Sequence, residues 1–106
     1  MDAVERAVLQ RFKALVAERV RLHQMILFGS RARGDAATDS DVDVVVITED
    51  ATDDTLSAYI RRCAWEAGFE SGMVVVPVVF SRDEWENSPQ RSSLLALAVK
   101  AEGVPV

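Results

Sequence analysis

Two short apolar runs in this chain enclose a turn and a pair of carboxylates, and that arrangement restricts the chain to folds in which two buried strands meet at one end. Ile26-Leu27-Phe28 runs into Gly29-Ser30, and Asp41-Val42-Asp43 opens the run Val44-Val45-Val46-Ile47. Ten residues, 31–40, separate the turn from the carboxylates. Residues i and i+2 of a strand share a face, so Asp41 and Asp43 aim together while Val42 points into the core. Two carboxylates converging on one point suit a hard divalent cation such as Mg²⁺, which takes one or two protein carboxylates and completes its shell with water and phosphate. The turn between the runs holds backbone donors and the guanidinium groups of Arg31 and Arg33, groups suited to a polyphosphate. Ser30 is placed to open a short helical turn that Gly34 closes, which would aim N–H groups at an anion.

Charge narrows the partners. The formal net charge is −5, and a protein that grips bulk DNA or RNA by its backbone draws on a basic surface. Residues 35–60 contain no Lys or Arg but hold eight acids, Asp35, Asp39, Asp41, Asp43, Glu49, Asp50, Asp53 and Asp54. Such a stretch repels a triphosphate unless cations neutralise it. Asp35, Asp39, Asp53 and Asp54 read as turn formers and helix caps. The 106 residues suit one domain, 1–106. Cys63 is the single cysteine, which excludes an internal disulfide and a cysteine zinc cluster and fits a cytoplasmic protein. No apolar run has transmembrane length, so no membrane partner is expected.

Along the chain, Val4, Val8, Phe12, Leu15, Val16 and Val20 recur at helical spacing, predicting an amphipathic helix over 2–22. Strands are expected at 25–28 and 42–47, the second with the near-continuous apolar character of a strand covered on both faces. A helix capped by Thr52 or Asp53 follows, with a buried stripe of Leu56, Ile60, Cys63, Ala64 and Ala67 and an end at Gly68. Residues 73–80 form a third strand, which Pro77 marks as an edge strand or a bulge. Ser81 and Glu84 have capping-box spacing ahead of a short turn carrying Trp85. A last helix spans 90–101 and ends before Gly103. His23, the single histidine, reads as a surface or locally bonded side chain rather than a base, and Cys63 as core. Trp65 and Trp85 each serve as a lid on the core or a partner contact.

The segment Gly29-Ser30-Arg31-Ala32-Arg33-Gly34 through Asp39-Ser40-Asp41-Val42-Asp43 resembles the signature of the DNA polymerase beta nucleotidyltransferase superfamily, and within it the minimal nucleotidyltransferases. The likeness is strongest over 25–47. It implies a single-domain α/β nucleotidyltransferase fold, a small mixed sheet of about three to four strands flanked by helices. It also implies ATP as substrate, Mg²⁺ at Asp41 and Asp43 as the catalytic pair, phosphate binding by Gly29, Ser30, Arg31 and Arg33, and a helical HEPN-type toxin as partner, with AMP added to a partner hydroxyl. Such a protein is an antitoxin and can assemble further as an oligomer. Members that run this chemistry commonly carry a third carboxylate on a later strand, and here the strand 73–80 contains no acid. The alternative from a different class is therefore a weak or inactive nucleotidyltransferase fold that neutralises or scaffolds its partner by binding alone.

Overall fold

The computed structural model describes residues 2–34, 41–87 and 93–106. In chain order the elements are α1 (Ala3–Ala17), β1 (Leu22–Phe28), α2 (Ser30–Arg33), β2 (Val42–Thr48), α3 (Asp54–Phe69), β3 (Val75–Ser81), α4 (Arg82–Asn87), α5 (Leu94–Glu102) and β4 (Val104–Pro105). The four strands form one mixed sheet in the order β3-β2-β1-β4. β1 runs antiparallel to β2 and to β4, and β2 runs parallel to β3.

β2 is central, and its sequence explains why. Val42, Val44 and Val46 pack with Phe12, Val16, Ile60 and Cys63 in the core beneath α1 and α3. Val45 and Ile47 pack on the opposite face with Trp85, Ala96 and Val99 of α4 and α5. Both faces are dry, so an unbroken valine run is favourable where an alternating pattern would expose half its residues. Each buried Val or Ile removes apolar surface from water, worth about 1.5–3 kcal/mol per side chain.

The helices begin where side chains can satisfy their first N–H groups. Asp2 accepts from the Glu5 N–H at 2.8 Å and Glu5 reaches back to the Asp2 N–H at 3.2 Å, a reciprocal capping box. Asp53 caps α3 through the Leu56 N–H at 2.7 Å, and Ser93 caps α5 through the Ala96 N–H. Ser81 and Glu84 bond each other's backbone at 3.1 Å, as their spacing predicts. The predicted start of the last helix at Gln90, and the turn residues Asp35 and Asp39, lie outside the described residues.

Several boundaries differ from expectation. The first helix stops at Ala17, because Leu22, His23 and Gln24 are taken into β1 by pairing with β2. Its buried side is Glu5, Val8, Leu9, Phe12 and Val16, whereas Val4 is exposed. Gly68 does not end α3 but lies inside it, where the Met73 carbonyl passes so close that a Cβ would meet it at 2.0 Å. Gly103 does follow the last helix, yet with φ −65°. It is small because Ile26 and the Val99 carbonyl crowd it, not because the backbone is left-handed. β3 is an edge strand, as Pro77 predicts.

Candidate functional site

β1 and β2 deliver the Gly-Ser turn and the carboxylates to the same end of the sheet. Phe28 pairs with Asp43 across the antiparallel ladder, so Gly29 leaves the strand beside that carboxylate. Gly29 has φ +76°, and a Cβ placed on it would stand 2.9 Å from Asp43 Oδ2. Glycine is required there twice, by the backbone conformation and by the close approach. The Gly29 carbonyl then accepts from the Ala32 and Arg33 N–H groups, starting α2 at Ser30, and Gly34 at φ +80° closes it. The N–H groups of a helix's first turn have no intrahelical acceptor, so this turn points donors outward beside the carboxylates.

Val42 is buried while Asp41 is exposed and Asp43 half-buried, the division expected from strand alternation. Partial burial raises the Asp43 carboxyl above the ordinary range, and the charge of Asp41 raises it further. Two carboxylates that repel each other in a partly desolvated place form a site that a hard dication relieves. Among the described residues no group of three or more His, Cys, Asp or Glu side chains converges. The reason is visible in β3, where the residue in register with Asp43 is Val76. Neighbours in register in a parallel ladder share a face, so Val76 occupies the place beside Asp43 where a third acid would stand.

The two guanidinium groups go to different places. Arg31 Nη1 meets Glu5 Oε1 at 2.9 Å, with side chains only 6% and 9% exposed. It therefore ties the turn to α1, and its guanidinium points at Glu5. Arg33 is half exposed and meets Glu102 at the end of α5 at 3.2 Å. Glu5 is the residue of this neighbourhood that sequence reasoning passed over. Its one signal was an acid placed among Val8, Leu9 and Phe12 on a buried helix face. His23 is locally bonded as expected, its Nδ1 lying 2.8 Å from Glu49 Oε1. Cys63 is buried.

The match to the nucleotidyltransferase domain model extends over residues 6–95. The chain belongs to the nucleotidyltransferase domain family. That span takes in α1, the Gly29-Ser30 turn, the Asp41–Asp43 pair and β3. Solved structures carry the same fold. A toxin–antitoxin complex with AMP-PNP is 21% identical with TM-score 0.62, covering 91% of this chain and 69% of that one. A chain described as a candidate minimal nucleotidyltransferase is 28% identical with TM-score 0.61, covering 100% of this chain and 97% of its own. A tri-AMPylated HEPN toxin from Shewanella oneidensis in complex with its MNT antitoxin is 19% identical with TM-score 0.56, covering 96% and 70%. No curated protein matches the chain. Within the family this chain keeps the turn and the carboxylate pair and places valine at the position in register with Asp43. No helix among the described residues is long and apolar enough to cross a membrane.

Proposed function

We propose that the protein transfers AMP from ATP, with Mg²⁺, to a hydroxyl of a partner protein, and that the partner is a HEPN-type toxin. The observation that carries the reading is the packing of the Gly29 backbone against Asp43, which sets a turn of N–H donors beside two mutually repelling carboxylates. Its support from similarity is that related folds are found with AMP-PNP and with an AMPylated HEPN toxin. Gly29 and Ser30 hold the β and γ phosphates. Asp41 and Asp43 hold Mg²⁺, which neutralises phosphate charge when bound. Arg33 lies near enough to the turn to pair with phosphate oxygens, and Arg31 steadies the turn from beneath. The acceptor oxygen bonds to the α-phosphorus and the bond from that phosphorus to the bridging oxygen breaks. Pyrophosphate departs and the hydroxyl proton passes to water. The protein lowers the barrier by positioning and charge compensation.

Saturating Mg²⁺ with ATP should raise the melting temperature, by more than either does alone, since ligand that binds only the native state stabilises it by mass action. An unmoved melting temperature would count against a working nucleotide site. One observation favours a second reading, binding without efficient transfer: Val76 stands where a third acid would. Val76 is 36% exposed, so Val76→Asp does not bury a charge fully. On that second reading the wild type transfers label from ATP weakly and folded Val76→Asp transfers it faster. Vigorous wild-type transfer that Val76→Asp leaves unchanged or lowers removes it.

A further inference from the structure

β3 forms the edge of the sheet, with β2 its strand neighbour among the described residues. The Val42 N–H donates to the Val74 carbonyl at 2.8 Å. In a parallel ladder of that register the backbones of Val74, Val76 and Val78 face β2, and those of Val75, Pro77 and Val79 face outward. Pro77 thus sits where no ladder donor is lost. The N–H groups of Val75 and Val79 and the carbonyls of all three lie along the outer edge, the pattern that an added extended segment completes.

A groove of about 460 Å³ runs between this edge and the C-terminal half of α3, with Trp65, Phe69, Met73, Val74, Val76 and Pro77 in its walls. Trp65 and Phe69 are each 65% exposed, their ring centroids 4.8 Å apart, and Val74 is 60% exposed. Contiguous exposed aromatic and aliphatic surface of this kind marks an interaction site. The groove shares Val76 with the candidate site, because Val76 is in register with Asp43.

Resting on the transferase reading, we propose that this groove is the acceptor subsite, and that it takes an extended polypeptide as a fifth strand against β3. Side chains alternate on such a strand. The residue level with Val76 faces the side of the sheet that Asp43 faces, and its two neighbours turn to the α3 side, against Trp65 and Phe69. Two strand spacings, about 10 Å, separate that residue from Asp43. A tyrosine hydroxyl spans the gap across Val76, and serine or threonine falls short. The acceptor is a tyrosine flanked by apolar residues. A polynucleotide fits poorly, since the chain carries a net charge of −5 and the groove offers Arg61 as its one charged wall. A second copy would bring another −5 to the same edge and cover the carboxylate pair instead of feeding it.

The test is selection of a library of short peptides with a fixed central tyrosine against the folded full chain without nucleotide. Recovered peptides should carry apolar residues on both sides of the tyrosine and slow amide exchange at Val75 and Val79. They should lose binding to Trp65→Glu and Phe69→Glu, both of which alter exposed positions, while retaining it with Arg21→Glu at the far end of the sheet. No enrichment, or binding that survives the Trp65 and Phe69 changes with Val75 and Val79 exchange unaltered, overturns the proposal. Protection of those amides that grows with protein concentration in the absence of peptide overturns it in favour of self-association. Peptide binding needs no ATP. Peptides that bind by these criteria but take no label from ATP, beside a melting temperature unmoved by Mg²⁺ with ATP, remove the transferase reading and leave the added-strand groove standing.

Discussion

Asp43 is held in an electrostatic conflict that only a cation resolves. Its carboxylate is partly desolvated, faces the charge of Asp41 and lies against the Gly29 backbone. Asp43→Asn and Asp41→Asn each remove one of two like charges, so metal-free stability in urea should hold or rise. Both should abolish the extra stabilisation by Mg²⁺ with ATP. Val42, between them, is 1% exposed and faces the other way. Val42→Asp should cost about 3 kcal/mol or more, because a buried unpaired charge has no compensation. Unfolded Asn variants beside a tolerated Val42→Asp would show that the strand faces are inverted. Both the pair and its spacing were legible in the sequence, since strand alternation is a local rule. That Asp43 packs on Gly29 was not, because it depends on the register of β1 against β2.

At the scale of elements, α2 is the weakest unit and the one the site needs most. Four residues cannot sustain a helix alone, for nucleation is unfavourable and little propagation follows. Its support comes from Gly29 and Gly34 at its ends and from Arg31, whose buried pairing with Glu5 fastens it to α1. Glu5→Ala removes the partner of a buried guanidinium and half of the α1 capping box. The expected loss is about 2–3 kcal/mol, at or below the usual cost of breaking a buried pair because Arg31 has a further interaction. Glu5→Gln keeps an acceptor and should lose less. Stability should fall together with the Mg²⁺–ATP shift in Glu5→Ala. A full shift in a destabilised Glu5→Ala protein would show that the ion pair serves folding and not the turn.

For the whole molecule, the joint between α1 and α3 offers a clean reporter. Tyr59, the single tyrosine, donates its hydroxyl to the Leu15 carbonyl, bridging the two helices. Burial first, and hydrogen bonding with the Cys63 thiol after it, push the phenol up to about 12 from its ordinary 10.0. The folded chain therefore holds this proton more tightly than the unfolded chain. The stabilisation is complete below pH 10.0 and declines as pH rises from there toward about 12, where the unfolded chain has already lost the proton. Near-ultraviolet titration should show one tyrosinate appearing well above pH 10.0 in the folded protein. Tyr59→Phe should flatten that part of the stability curve and cost about 1 kcal/mol at neutral pH, the usual net worth of one hydrogen bond.

What the sequence by itself determined lies where neighbours along the chain suffice. The Gly-Ser turn, the Asp41–Asp43 alternation, the valine run of a strand covered on both faces, the Asp53 cap and the Ile60–Cys63–Ala64–Ala67 stripe all follow from periods of 2 and 3.6 and from capping chemistry. Tertiary structure decided the rest. The buried face of α1 turned to Leu9 and Glu5 and left Val4 exposed, because Arg31 lies against that face and needs a carboxylate. Gly68 proved to be a point of close approach because Met73 returns across α3. β4, at two residues, carries too little pattern to be seen without its partner β1. Val76 acquired meaning only through the parallel register that sets it beside Asp43. In each case the deciding contact joins residues far apart in the chain, and the energy that selects it belongs to the packed pair rather than to either segment alone.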